Sequence, residues 1–260
     1  MSKHQFISVE RDGHTLILTL NRPEVMNALH APAHFECHAA IDAFAADPSL
    51  WVLVITGAGE RAFSAGNDLK FHAAGGSLEM PPSGFGGVTS RFDLNKPVIA
   101  AVNGLAFGGG FEVALATDII IASSHAVFAL PEPRVGLAAL AGGLHRLPRA
   151  IGLKRAMGMI LTARRVSAEE GFALGFVHAV TEPGAALATA LQLAREIEQC
   201  SPAAIRAAKS AVMRGADMPL ADAIAQQWQW PDVRAMRASP DAIEGPRSFA
   251  EKRPPNWSES

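Results

Sequence analysis

The chain has 260 residues, 49% of them hydrophobic and 18% charged, with a formal net charge of −2. That length buries a large core in one or two domains, and the near-neutral balance offers no basic excess for nucleic acid or an anionic membrane. Two distant cysteines (Cys37 and Cys200), no run of about 18 apolar residues and an opening "MSKHQFISVERDGH" without a signal core argue against a disulfide framework, a structural zinc site or a membrane span, and a cytoplasmic protein is expected.

In chain order, "FISVER" and "HTLILTL" read as strands joined at Asp12-Gly13, a hairpin signal. "APAHFECHAAIDAFAAD" has helical spacing, with Phe35, Ala39, Ile41 and Phe44 predicted to face a core and Pro48 to end the helix. "WVLVITG" reads as a buried strand, and "AGERAFSAGNDLKF" as a loop. Residues 72–91, rich in Gly, Pro and Ser, read as a mobile segment. "KPVIAAVNG" is a second buried strand. The glycines of "NGLAFGGGFE" then open a helix ending near Thr117, and "DIIIAS" and "AVFAL" are further strands. From about Arg146 the pattern is mostly helical, through "LKRAMGMILTA", "SAEEGFALG", "PGAALATALQLAREIEQC", "SPAAIRAAKSAVMRG" and "MPLADAIAQQWQWPDVRAMRA", with "FVHAV" a short strand between. An α/β part followed by a helical tail is the predicted class.

The three glycines Gly108, Gly109 and Gly110 sit between a strand and a helix, directly before Phe111 and Glu112. Their spacing is not the G-x-G-x-x-G of dinucleotide sites, and no Lys-Ser or Lys-Thr follows as in a Walker loop. Two readings stay open. Glycines at that position permit close strand–helix packing, or they let a ligand approach helix-start N–H groups that have no internal partner. "AFSAGNDLK" is a second strand-end turn with a glycine, Gly66, so two such turns could supply two N–H donors to a developing oxyanion. "FALPEPRVGL" holds Glu132 between two prolines, and the pair Gly142-Gly143 opens a further helix. Glu112, in an otherwise apolar helix start, needs a partner or a site. His30, His34 and His38 are four apart, but read as a solvated or partly packed helix face rather than a metal site. No G-x-S-x-G surrounds Ser64.

"AFSAGNDLK", "AVNGLAFGGGFEVALATDIIIAS", "FALPEPRVGL" and "GGLHRLPRAIG", in that order, resemble the crotonase superfamily, the enoyl-CoA hydratase/isomerase family, over essentially the whole chain. Within it, the motifs look nearest to general enoyl-CoA hydratases and to carnitinyl-CoA dehydratase-like members. The resemblance implies an α/β fold: a spiral of ββα units over residues 1–195 holding a CoA-thioester site, and a helical C-terminal region over 196–260 that makes homotrimers, often paired into hexamers. It implies an acyl-CoA thioester substrate, no separate cofactor and no metal. The thioester carbonyl is expected between the backbone N–H groups of Asn67 and Gly109, with Glu112 and Glu132 as the catalytic carboxylates. Coenzyme A is expected near Ala62, Ser64, Ala65 and Lys70, with Phe249 and Lys252 reaching it from the tail, often of a neighbouring subunit. Both acids present favours a hydratase over a double-bond isomerase, with a carnitinyl-CoA dehydratase-like lyase as a further alternative and a catalytically silent thioester binder less favoured. One departure bears on the acyl pocket: "VGLAALAGG" has alanine where the family commonly has proline.

Overall fold

A computed structural model describes residues 4–258. Strands β1 (Ile7–Asp12) and β2 (Thr15–Leu20) pair antiparallel from Ile7–Leu20 to Asp12–Thr15. Helix α1 (Ala31–Ala46) follows. The chain then repeats one pattern three times, a strand of a large sheet, a strand of a small sheet and a helix. The first turn is β3 (Val52–Gly57), β4 (Ala62–Ser64) and α2 (Leu69–Ala73); the second is β5 (Val98–Val102), β6 (Leu105–Phe107) and α3 (Gly109–Ala116); the third is β7 (Ile119–Ser123), β8 (Val127–Ala129) and α4 (Gly143–Ile151). Helix α5 (Leu153–Thr162), β9 (Val166–Ser167), α6 (Ala168–Leu174) and β10 (Ala179–Thr181) complete the layered part.

The large sheet has the order β1-β2-β3-β5-β7-β10 and the small one β4-β6-β8-β9. Each turn of chain lays its two strands parallel to those of the preceding turn, β5 on β3 and β6 on β4, so equivalent strand ends line up along one edge. This is the predicted spiral of ββα units. The short strand β4 lies where a loop was expected, and β6 lies between the expected strand "KPVIAAVNG" and the helix opened by the glycines; three-residue strands show no readable alternation.

Side-chain alternation explains why the large-sheet strands read as continuous apolar runs. Leu53, Ile55, Val98, Ala100 and Val102 face the main core with Ile41 and Phe44 of α1 and Phe111 of α3. Val52, Val54, Ile99, Ala101 and Ile121 face the opposite side, where Ala190 and Ala194 of α7 (Ala186–Glu198) cover them.

Helix α1 buries Ile41 and Phe44 as expected, but not Phe35 and Ala39. Ala33, Cys37, Ala40, Ile41 and Phe44 are inside, whereas Phe35 is 38% exposed and Ala39 is exposed. The reason is a backbone crossing. A Cβ at Gly87 would lie 2.6 Å from the His38 N and 2.8 Å from the Cys37 carbonyl carbon, so this face must be small. Residues 81–89, predicted mobile, are for the most part buried in this crossing, tied down where His38 Nδ1 meets Ser83 Oγ at 2.9 Å and where the Gly86 N–H donates to His34 Nδ1 at 3.1 Å. The exposed part of the segment is 73–80, apart from half-buried Gly76.

The C-terminal helices are α8 (Pro202–Gly215), α9 (Leu220–Gln226), α10 (Pro231–Ala238) and α11 (Asp241–Glu251). The single helix expected across 218–238 breaks at Trp230, which is extended (ψ 140) ahead of Pro231 at the first position of α10. After α11 the tail folds back on its own chain: Arg253 pairs with Glu244, the Asn256 N–H donates to Glu244 Oε1 at 2.8 Å, and Trp257 Nε1 donates to the Gln199 carbonyl at 2.7 Å.

Lys96 fixes the end of α1. Its Nζ is buried and donates to the carbonyls of Phe44 (2.8 Å) and Asp47 (2.7 Å), placing a cation at a helix C-terminus. Burial pulls its pKa down to about 8. Lys96→Met keeps the apolar stem but orphans those carbonyls. Urea unfolding at pH 7 is expected to show a loss of about 1.5–3 kcal/mol.

Candidate active site

Two strand-end turns meet at the aligned edge of the small sheet. Gly66, after β4, has φ 86, and a Cβ there would lie 2.6 Å from the Phe107 carbonyl oxygen and 2.8 Å from the Gly109 N. Only a glycine lets the turn after β4 close on the turn after β6. Ser64 shapes that first turn, donating from Oγ to the Asn27 carbonyl (2.8 Å) and accepting from the Gly66 N–H (3.1 Å). Gly109 is the first residue of α3, where amides have no intrahelical acceptor. Both Gly109 and Asn67 line one cavity of about 660 Å³.

Two carboxylates enter the same cavity from different turns of the spiral. Glu112 comes from the first turn of α3 and is 3% exposed. Its Oε1 accepts the Gly143 N–H at 2.8 Å, at the start of α4. Burial raises its pKa to about 7. The Gly143 amide opposes that rise, the nearby charge of Glu132 adds to it, and the Ala141 amide and Arg146 oppose it further. Glu132 opens a short 3-10 turn, Glu132–Val135, between β8 and α4. Burial raises its pKa against the pull of its own backbone N–H, and among the described residues its buried Oε2 has no hydrogen-bond partner. Gly108, at φ 53, makes room for it: a Cβ there would lie 2.7 Å from Glu132 Oε1. The glycine triplet packs closely, as one reading of the sequence had it, and Gly108 and Gly109 also face the cavity.

Of the residues predicted for the site, Asn67, Gly109, Glu112, Glu132 and Ala65 line the cavity. Ala62 and Ser64 do not; their side chains are buried in β4 and its turn. Lys70 is exposed beside the cavity rather than on its lining. Phe249 (87% exposed) and Lys252 stand at the end of α11, away from their own chain's cavity. The cations that do line it are Arg134 and Arg165, the latter stacked over Phe107 at 5.3 Å. Sequence reasoning also missed Phe85, His34 and the holding role of the Gly143 amide. His30 and His34, read as a solvated or partly packed face, are buried, and among the described residues no three His, Cys, Asp or Glu side chains form a metal-binding group.

Arg146, in the first turn of α4, braces this corner. Its Nη2 donates to the Thr89 carbonyl at 2.8 Å and its guanidinium lies 5.7 Å from the Phe92 ring. The brace joins the helix start that holds Glu112 to the segment that walls the cavity.

The family model for enoyl-CoA hydratase/isomerase matches residues 10–260. The chain belongs to this family. A carnitinyl-CoA dehydratase from Salmonella arizonae is 44% identical over 255 residues, covering 96% of this chain and 97% of its own, and one from Escherichia coli is 42% identical with the same coverage. Among solved structures, the enoyl-CoA hydratase EchA1 from Mycobacterium marinum superposes with a TM-score of 0.92 at 41% identity, covering 98% of this chain and 99% of that one. A carnitinyl-CoA hydratase from Mycobacterium avium gives 0.78 at 38% identity, covering 99% and 100%. The enoyl-CoA hydratase/isomerase fold, crotonase-like, is thus that of this protein, and the protein is an enzyme of a family whose hydratase and dehydratase members are lyases. Among the described residues no helix is long and apolar enough to cross a membrane.

The buried Glu112 makes stability pH-dependent. The unfolded chain releases this proton near 4.5 and the folded chain near 7. Between those values the folded state binds more protons, so stability falls as pH rises from 4.5 to 7 and stays lower above. Glu112→Gln removes that loss. Thermal unfolding is expected to show the variant more stable than wild type at pH 8, by up to roughly 3 kcal/mol, with the gain gone at pH 4.5.

Proposed function

We propose that the enzyme catalyses reversible addition of water across the Cα–Cβ bond of a 2-enoyl-CoA thioester, giving a 3-hydroxyacyl-CoA. The observation that carries this reading is the pair Glu112 and Glu132, two carboxyls with raised proton affinity in one cavity with the Asn67 and Gly109 turns. The thioester carbonyl sits between the two amides, which makes Cβ electrophilic. Ionised Glu112 takes a proton from the attacking water. Protonated Glu132 gives a proton to Cα. In the reverse direction the same groups expel the 3-hydroxyl as water. Two coupled carboxyls share their protons as a pair, which suits a cycle that needs one of each state.

Coenzyme A enters as part of the substrate, and the reaction as written needs no further cofactor. Arg134 and Arg165 are better placed than Lys70 to meet its phosphates, since both line the cavity. The carnitinyl-CoA dehydratase relatives support a short acyl group substituted at Cγ. Exposed Val212, Met213, Leu220 and Ile243 on the C-terminal helices and their connections support a homotrimer, alone or paired into a hexamer. In such an assembly Phe249 and Lys252 would reach a neighbour's coenzyme A.

Loss of the conjugated enoyl-thioester absorbance of crotonyl-CoA, with its appearance from 3-hydroxybutanoyl-CoA as the reverse assay, tests the reaction. Glu112→Gln and Glu132→Gln are each expected to lower kcat by roughly 10²–10⁴. A wild-type enzyme that only shifts double bonds between 3-enoyl and 2-enoyl thioesters would overturn the hydro-lyase reading. Because the mechanism needs one carboxyl ionised and the other protonated, kcat/KM for hydration is expected to pass through a maximum with pH, rising as the pair loses its first proton and falling as it loses its second.

A further inference from the structure

The wall of the cavity contributed by α1 is unusual for a hydrocarbon pocket. His34 is 3% exposed, packs its ring 4.3 Å from that of Phe85, and lines the cavity. Phe85 in turn lies against Gly109: a Cβ on that glycine would sit 2.5 Å from the Phe85 ring. His34 is therefore one ring removed from the start of α3. The Gly86 N–H donates to His34 Nδ1 at 3.1 Å, so Nδ1 carries no proton. Burial, helped by neighbouring His30, holds the imidazole neutral, with a pKa lowered to about 4. A neutral ring with an unprotonated Nδ1 carries its hydrogen on Nε2. Among the described residues no protein acceptor meets that Nε2–H. The backbone of the 3-10 turn at Phe85–Gly87 thus sets the tautomer and leaves a donor at the cavity wall.

In the open cavity that N–H faces solvent; a bound acyl chain that covers it without bringing an acceptor leaves a buried donor unpaired, at a cost of about 1–3 kcal/mol, so the site discriminates against such a ligand. A quaternary ammonium group has no lone pair and would meet the positive end of the N–H dipole. An ether, hydroxyl or carbonyl oxygen satisfies it.

We propose that His34 is a specificity-determining residue, its Nε2–H donating to an oxygen on the acyl group beyond the reacting carbons. The enzyme then prefers an oxygen-bearing acyl thioester to a plain hydrocarbon of the same length. This rests on the reading of the cavity as the acyl-thioester site.

A single CH₂-to-oxygen exchange tests it. Binding of 4-methoxybutanoyl-CoA and of hexanoyl-CoA, which cannot be hydrated and differ only in that group, is measured by titration calorimetry on wild type, His34→Gln and His34→Leu. Wild type is expected to bind the methoxy compound roughly tenfold more tightly, His34→Gln to keep a preference through its amide N–H, and His34→Leu to lose or reverse it. Equal affinities in wild type, or a preference that survives His34→Leu, would overturn the proposal, whichever way the hydration assay falls. Should His34→Leu fail to fold, the wild-type ratio still decides. Tighter binding of 4-(trimethylammonio)butanoyl-CoA than of the methoxy compound would assign the pocket to a cation instead and also defeat the proposal. Turnover of crotonyl-CoA, followed separately, reports on the hydro-lyase reading alone.

Discussion

The site depends on keeping one carboxyl, that of Glu112, out of water. Burial alone would drive it to the neutral state for good. The Gly143 amide, delivered by the start of α4, offsets enough of that cost to leave its pKa near 7 rather than far above. A group so poised exchanges a proton easily at neutral pH. The fold is less stable for it wherever that carboxyl must ionise, a trade of stability for reactivity common at functional sites.

That arrangement is possible because the chain repeats itself. Three successive ββα turns bring β4, β6 and β8 side by side, so the segments after them converge. The turn after β4 brings Gly66 and Asn67, the turn after β6 brings Gly108 and Gly109, and the segment after β8 brings Glu132 and then Gly143. No single element holds the site. The precision comes from contacts between turns, with Gly66 against Gly109, Gly108 against Glu132 and Gly143 against Glu112. Gly66 meets the backbone of the next turn, whereas Gly108 and Gly143 make room for the carboxylate side chains of Glu132 and Glu112, and a methyl group at Gly66 or Gly108 would not fit.

The wall that α1 gives the cavity is built differently. It is formed where residues 81–89 cross α1, a contact that fixes the small-residue stripe of the helix and the His34 tautomer together. The carboxylate end of the cavity therefore belongs to the spiral. The wall from residues 81–89 is tied by Arg146 to the helix start that holds Glu112.

Much of the layered fold was legible from the amino-acid order, because β3, β5 and β7 are apolar on both faces and the helical tail is punctuated by Ser, Pro and Gly. The two acids and the glycine turns were legible through their motifs. The stripe of α1 was not, since Phe35 outranks Ala33 and Cys37 on hydrophobicity and only the crossing backbone of Gly87 shows why the small residues are inside. Nor was the place of Ala62 and Ser64, which belong to a three-residue strand. By itself the sequence determined which groups could do chemistry: carboxylates where charge is costly, glycines where a side chain would block an amide. Only the tertiary structure decided which of them meet, how far burial shifts their protons and which nitrogen of His34 carries its hydrogen, because each depends on neighbours tens of residues away in the chain.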